Sequence, residues 1–188
     1  MRLSVILVAA ALTYPAAAAD DSVQATVFGG GTHLSDHAGN HAVVGGGVGV
    51  RASRFLILGE FAYIPAPNLF VANSGFGLSA DVSGQVIDFN GGFHIDLTKK
   101  SRIVPYIAAG VGAGHASVTA TLHTLTSGGQ VFSTNATAFE ANGGFGVRLY
   151  AGKRWGIEPE LKVIRYTGDL GFTAVRYRAG VFFEFGKS

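Results

Sequence analysis

The sequence predicts an all-β protein, an eight-stranded antiparallel up-and-down transmembrane β-barrel, and three observations support this fold class. The first is an N-terminal export signal. The second is the alternation of apolar and polar residues along short segments. The third is that the connections between those segments are long and short in turn. A chain of 188 residues suits a single domain of this kind.

The N-terminus has the pattern of a cleavable secretory signal. Arg2 supplies a positive charge, Leu3 to Leu12 form a short apolar stretch, and Ala17 to Ala19 offer the small side chains that signal peptidase reads. A membrane-spanning helix needs roughly 20 apolar residues, so a retained anchor is the less favoured alternative. We therefore expect a signal peptide at residues 1–19 and an outer-membrane barrel domain at residues 20–188.

The composition excludes several other classes of protein. The chain has no cysteine, which rules out disulfides and thiolate metal sites, and its net charge of +2 without a basic run argues against nucleic acid as a partner. With 14 phenylalanines and only 14% charged residues, it is too apolar for a disordered secreted chain. After residue 19, no apolar run reaches the length of about 18 residues that a spanning helix requires.

Strand-like alternation recurs along the rest of the chain. In its clearest example, Phe89, Gly91 and Phe93 share one parity while Asp88 and Asn90 share the other. A helix would distribute these polar residues around its axis, whereas a strand places them on one face. The predicted strands are residues 22–30, 41–51, 54–64, 82–97, 103–118, 136–150, 154–166 and 174–186.

The connections predict the topology. Tight turns at 52–53, 98–102 and 151–153 join strands two to three, four to five and six to seven. The other four connections are longer, and we expect residues 65–81 and 118–135 to form surface loops. Outer-membrane barrels carry long loops outside and short turns in the periplasm. The apolar residues of 65–81 indicate either a surface for a partner, as in adhesion, or a cover over the barrel mouth.

The distribution of bulk between the two strand faces favours a membrane barrel over a soluble lipocalin-like barrel. The interior of an eight-stranded barrel holds only side chains or one small ligand. One face of the strands carries glycine, alanine, asparagine and charged residues, which would fit inside. The other face carries the bulky apolar residues, which would face lipid. The predicted charged network of the lumen comprises Glu60, Asp88, Asp96, Glu140, Arg148, Glu158, Glu160, Lys162, Arg176, Arg178 and Glu184.

Aromatic residues near the strand ends are predicted to form girdles at the two membrane interfaces. Ordinary strand packing is the alternative interpretation, because aromatic residues are favoured in any sheet. The predicted interface aromatics are Phe55, Tyr63, Phe139, Trp155, Tyr177, Phe183 and Phe185.

Three stretches resemble the OmpA/OmpX-type family of small outer-membrane β-barrels. Residues 105–112 are similar to the family's Pro-aromatic-x-x-x-Gly-x-Gly strand, and residues 143–147 followed by 155–161 keep the family's order. Members usually end in an aromatic residue that the insertion machinery reads. Phe183 and Phe185 match that spacing, but residues 186–188 follow them.

The resemblance covers nearly the whole chain after the signal peptide, and it implies where the protein works. It implies a location in the bacterial outer membrane. It also implies outer-membrane lipid and the barrel-assembly machinery as partners, with an extracellular partner reached through the loops. It implies no cofactor.

The lumen charges leave two functions open. Ionised groups in a narrow interior must be paired or hydrated. We therefore expect a salt-bridge plug that closes a structural barrel, and a narrow ion or solute pore lined by the same groups is the alternative.

A third class, a lipid A-modifying acyl hydrolase, is disfavoured, and we predict no catalytic residue. In the seventh strand, Arg165 and Thr167 stand where such enzymes carry histidine and serine, and arginine cannot act as a general base near neutral pH. His115 and Ser117 form a His-x-Ser pair, but their strand face offers no orienting carboxylate. We also predict no metal site, because His33, His37 and His41 lie in a predicted loop.

Overall fold

The computed structural model describes the backbone of residues 22–35, 39–74, 78–98, 101–123, 130–168 and 171–186, and it confirms a closed eight-stranded barrel. The predicted signal peptide and His37 lie outside the described residues. The strands are β1 Ser22–Leu34, β2 Gly39–Ala52, β3 Phe55–Ser74, β4 Leu78–Asp96, β5 Ile103–His123, β6 Gln130–Tyr150, β7 Trp155–Tyr166 and β8 Thr173–Phe185.

Each strand pairs antiparallel with the next, and β1 pairs with β8 to close the cylinder. The closing ladder runs from Val23 opposite Phe185 to Leu34 opposite Ala174. Closure matters in lipid because a backbone amide or carbonyl left unpaired there has no water to bind. In the described part of the chain, no helix is long and apolar enough to cross a membrane.

The prediction that residues 65–81 and 118–135 form loops is wrong for most of both segments. Val71 pairs with Asp81 in the β3–β4 hairpin, and Thr121 pairs with Val131 in the β5–β6 hairpin. The serine, threonine and asparagine residues of these segments were interpreted as loop signals. Past the edge of a membrane, however, a hairpin is surrounded by water on both faces, so its strands no longer need the apolar alternation by which they were recognised.

These extensions form a projecting sheet, which consists of residues 65–74 of β3, 78–85 of β4, 117–123 of β5 and 130–135 of β6. The strands that flank it stop pairing earlier. The last β2–β3 pair is Val44 with Tyr63, and the first β6–β7 pair is Glu140 with Tyr166. The projecting sheet therefore continues beyond the barrel wall and has β3 and β6 as its edges.

The two faces of the wall differ sharply in chemistry. Large apolar side chains such as Val27, Ile57, Phe89, Phe145 and Val181 are exposed on the outer face. Charged side chains of the opposite parity are buried inside. A soluble barrel would have the reverse arrangement, so the outer surface is the lipid-facing surface of a membrane barrel.

The filled lumen as candidate functional site

The lumen contains the charged residues that the strand parity predicted, and all of them are buried. They are Glu60, Asp88, Asp96, Glu140, Arg148, Glu158, Glu160, Lys162, Arg176, Arg178 and Glu184. Arg51 belongs to the same network and was missed. Its position shares a parity with Gly45, Gly47 and Gly49, and this signal could have identified it.

The first layer of the network lies at the turn end of the barrel, the end that carries the short turns. Arg51 pairs with Asp96 and, through Nε, with Oε1 of Glu184 at 3.0 Å. Arg148 pairs with the second oxygen of Asp96 at 2.5 Å and with Oε2 of Glu158 at 3.3 Å. Two arginines thus share one aspartate, and each reaches a further glutamate.

Neutral side chains complete the hydrogen bonding of this turn-end layer. Gln24 donates to Glu158 at 3.2 Å and accepts from Arg51 at 2.9 Å. The Tyr150 hydroxyl donates to Glu184 at 2.8 Å. A buried charge is tolerated only when such partners replace its water, so the layer depends on these groups as well as on its ion pairs.

The middle layer is a tetrad of two acids and two bases. Lys162 Nζ lies 2.7 Å from Glu60 Oε2 and 3.2 Å from Glu160 Oε1. Arg178 pairs with both of the same glutamates, with its Nε 2.9 Å from Glu160. The Tyr106 hydroxyl donates to Glu160 at 2.9 Å. Because β3, β7 and β8 supply the charges, the tetrad ties distant parts of the wall together.

His94 connects the turn-end and middle layers. Its ring stacks on Tyr106 with centroids 4.4 Å apart, and its Nδ1 lies 2.6 Å from an Arg148 nitrogen. Its Nε2 lies 3.6 Å from Glu160. Glycine at 146 makes room for Tyr106, because a Cβ there would lie 2.5 Å from the tyrosine Cζ. Sequence reasoning assigned no partner to His94, because its polar partners Arg148 and Glu160 lie on β6 and β7, more than 50 positions away in the chain.

The loop-end layer, farthest from the short turns, is less completely paired. Arg176 forms an ion pair with Asp88, and the Tyr166 hydroxyl donates to the same Asp88 oxygen at 2.9 Å. Glu140 accepts a hydrogen bond from Asn142 at 3.3 Å, while its other oxygen has no hydrogen-bond partner among the described residues.

An apolar cap adjoins this layer towards the loop end, and Tyr166 belongs to both. The cap consists of two clusters of buried side chains. The first contains Phe28, Val43, Ala62, Ile64, Val86 and Ala116, and the second contains Leu34, Ala138, Ile164, Tyr166 and Ala174. The interior therefore changes from layered ion pairs to close-packed apolar groups along its length.

The predicted interface aromatics lie on the outer surface or partly covered in the wall. Phe55, Trp155, Phe183 and Phe185 are exposed near the turn end, and the rings of the last two are 4.7 Å apart. Phe139 and Tyr177 are exposed nearer the loop end. Tyr63 is half-buried, with its hydroxyl donating to Gln85 at 3.1 Å.

The His-x-Ser pair on β5 has no acidic neighbour. His115 lies opposite Ile87 and Thr137, and its Nδ1 is 2.8 Å from the Thr137 hydroxyl. Ser117 lies between Gln85 and Asn135. None of these cross-strand neighbours is a carboxylate, so a hydrolase triad lacks its third member at this place.

His33 and the seventh-strand pair make local contacts. His33 contacts Asn40 at 3.0 Å, Arg165 donates to Thr173 at 2.8 Å, and Thr167 donates to the Phe139 carbonyl at 3.2 Å. Across the described residues, no group of three or more His, Asp or Glu side chains is placed to hold a metal ion.

Solved structures of small bacterial barrels are similar to the chain over most of its length. Neisserial surface protein A matches at 14% identity and a TM-score of 0.56, covering 88% of this chain and 97% of that one. The attachment invasion locus protein of Yersinia pestis matches at 14% identity and a TM-score of 0.56, with 88% and 98% coverage. The chain has the fold of the small OmpA/OmpX-type outer-membrane β-barrels.

The same OmpA/OmpX-type fold is found in the N-terminal barrel domain of Pseudomonas aeruginosa OprF, at 20% identity and a TM-score of 0.50, with 87% and 97% coverage. These likenesses show the fold of the chain. No protein-family model matches the sequence, and no curated protein matches it.

Proposed function

We propose that the chain is a structural outer-membrane barrel with a closed lumen, whose loop end presents the projecting sheet to partners outside the cell. The buried ion pairs and apolar clusters of the lumen support the first half of this proposal. Ion pairs cross the interior from wall to wall, as between Lys162 on β7 and Glu60 on β3. Beyond them, Ile64 and Ile164 in the apolar cap offer an ion no group to replace its water.

Closure is tested by recording from the purified barrel in planar lipid bilayers. We expect no stable ohmic conductance, while a channel-forming porin in the same lipid serves as the positive control. A reproducible ohmic conductance from the unmodified barrel would overturn the closed-lumen proposal and favour the narrow pore. The same charged residues would then line that pore.

The local surroundings of His115 and Ser117 support a non-enzymatic role. Lipid A from cells that express the barrel should keep its mass. The expectation would be contradicted if lipid A lost one acyl chain with the unmodified barrel but kept it with the double variant His115→Ala and Ser117→Ala. That result would favour the hydrolase.

The edges of the projecting sheet support the second half of the proposal, the display of a binding surface. On β3, Pro65 and Pro67 lack the N–H that an added strand would need, and the β3–β4 register shifts between Ala66 and Phe70. That edge is protected against pairing by its own sequence.

The β6 edge carries no such protection. Residues 130–138 contain neither proline nor a charge, and none of them pairs with β7 in the described structure. Val131 is 66% exposed and Phe132 55% exposed, one on each face of the strand. A long, uncharged strand edge with exposed apolar side chains is a template for an added strand. The edge therefore suits an extended segment of a partner protein.

Charged substitutions on the β6 edge test whether this edge binds a partner strand. Ser133→Lys with Asn135→Lys places two cations on the free edge and should abolish adherence of cells displaying the barrel to extracellular matrix or cultured cells. Ser83→Lys is the matched control, because β4 is an inner strand of the same sheet. Adherence that survives the β6 substitutions, or a barrel that confers none, would count against the display role. Deletion of residues 66–80 without loss of adherence would exclude the β3–β4 hairpin.

A further inference from the structure

The exposed basic side chains of the barrel are concentrated at its turn end. Arg54 lies in the β2–β3 turn, Arg102 precedes β5, and Lys153 and Arg154 lie in the β6–β7 turn, all of them exposed. The described residues of these turns include no acidic side chain. Asp96, at the end of β4, is directed into the lumen, where Arg51 and Arg148 bind it.

The loop end differs in charge. Within the described ranges, Arg165 is the one exposed lysine or arginine outside the turn end, and it donates a hydrogen bond to Thr173. The other described basic side chains are buried in the lumen network. The excess of positive charge is therefore a property of one rim and not of the whole surface.

The basic residues directly adjoin the aromatic girdle of the turn end. Arg54 precedes Phe55, and Arg154 precedes Trp155, whose side chain is 47% exposed. Exposed aromatic side chains collect at the height of lipid headgroups. Consecutive Cα atoms are about 3.8 Å apart, so the backbone of Arg54 and of Arg154 lies within one residue of that height.

We propose that this turn-end rim binds the headgroups of anionic phospholipids. Guanidinium and ammonium groups match the phosphate oxygens in charge and hydrogen bonding, and an arginine can bind two of them at once. The lipid is recognised by the net negative charge of its headgroup, as in phosphatidylglycerol or cardiolipin. One cation close to a membrane surface gives a preference of about fivefold for anionic over neutral lipid at low ionic strength.

Trp155 allows the test to be made at the rim itself, because it is the single tryptophan of the chain. The full barrel is reconstituted in phosphatidylcholine vesicles that contain a brominated lipid, which quenches tryptophan on contact. Brominated phosphatidylglycerol should quench Trp155 with an apparent affinity about fivefold above that of brominated phosphatidylcholine. High salt should return this ratio to about one, because salt screens exposed charges.

The charge dependence is tested with a rim variant that combines Arg54→Gln, Arg102→Gln, Lys153→Gln and Arg154→Gln. Its selectivity at low salt should fall to about one, whereas Arg165→Gln, the control at the loop end, should keep the full ratio. Heat-modifiable migration on gels verifies that each variant is folded. If the rim variant does not fold, the salt titration of the unmodified barrel still tests the proposal, because the preference for anionic lipid should disappear at high salt.

Two results would overturn the proposal. Equal quenching by the two lipids at low salt would show that the rim has no preference for anionic headgroups. Equal quenching combined with tight binding of soluble polyphosphate to the detergent-solubilised barrel would assign the rim to a soluble polyanion instead.

Discussion

Replacement of Arg148 by methionine should strongly destabilise the folded barrel. Arg148 is fully buried at 0% exposure and contacts Asp96 at 2.5 Å, Glu158 at 3.3 Å and His94 at 2.6 Å. Without Arg148, Asp96 still forms its ion pair with Arg51. Glu158 keeps the hydrogen bond from Gln24 at 3.2 Å, but among the described residues it has no other cation in contact. Removing one partner of a buried ion pair costs about 3–5 kcal/mol, because the other charge stays buried without compensation.

A second substitution separates this electrostatic cost from the loss of packing. Glu158→Gln removes the charge that Arg148→Met leaves uncompensated, so the double variant should regain at least about 1.5 kcal/mol relative to Arg148→Met alone. Arg165→Met is the matched control. Arg165 is an exposed arginine in a strand, and its replacement should cost no more than about 0.5 kcal/mol.

The measurement is urea-induced unfolding in lipid vesicles, followed by Trp155 fluorescence and by migration on gels. An Arg148→Met barrel within about 1 kcal/mol of the unmodified barrel would refute the reasoning, because the network would then contribute little to stability. A double variant no more stable than the single one would place the cost in packing instead of charge.

Two further expectations concern single residues of the wall. Gly146→Ala should destabilise by about 1–3 kcal/mol in the same urea assay, because the new Cβ would crowd Tyr106 and lie 2.8 Å from the Pro159 carbonyl oxygen. Gly91→Ala, where a Cβ meets nothing within 4 Å, is its control, and an equal effect at both sites would contradict the steric reason. Phe185→Ala should reduce the amount of barrel assembled in the outer membrane of cells without slowing refolding into vesicles, whereas Phe89→Ala should leave assembly unchanged. Loss of both assembly and refolding in Phe185→Ala would point to a general defect of the barrel rather than to recognition by the assembly machinery.

Much of the wall could be predicted because strand parity fixes which face a residue occupies. Glu160 and Lys162 were placed inside by their spacing alone, and both are buried. The alternation does not predict which side chains pair inside. Lys162 and Glu60 are 102 positions apart in the chain, and their ion pair depends on how the barrel closes. Parity also does not say that every inward residue is polar, because the buried Leu56 and Phe182 are apolar side chains that occupy part of the lumen.

The lengths of the strands were predictable only where lipid surrounds them. Between Tyr63 and Phe139 the chain forms two long hairpins whose outer parts are rich in serine, threonine and glycine, which are also the residues of loops. Threonine and valine are nevertheless well suited to strands, and the pairing of Thr121 with Val131 shows them in a ladder. Composition alone could not distinguish a strand in water from a loop.

The ion pairs of the lumen have a consequence for the lifetime of the folded state. Arg51 and Glu184 are 133 positions apart, and the β1–β8 ladder that brings their strands together joins the first strand of the described barrel to the last. Interactions that form after the folding transition state slow unfolding while hardly changing the folding rate. Because these ion pairs require the closed barrel, we expect them to slow unfolding and so to prolong the life of the folded protein in a membrane where a lost protein can be replaced only by new synthesis and export.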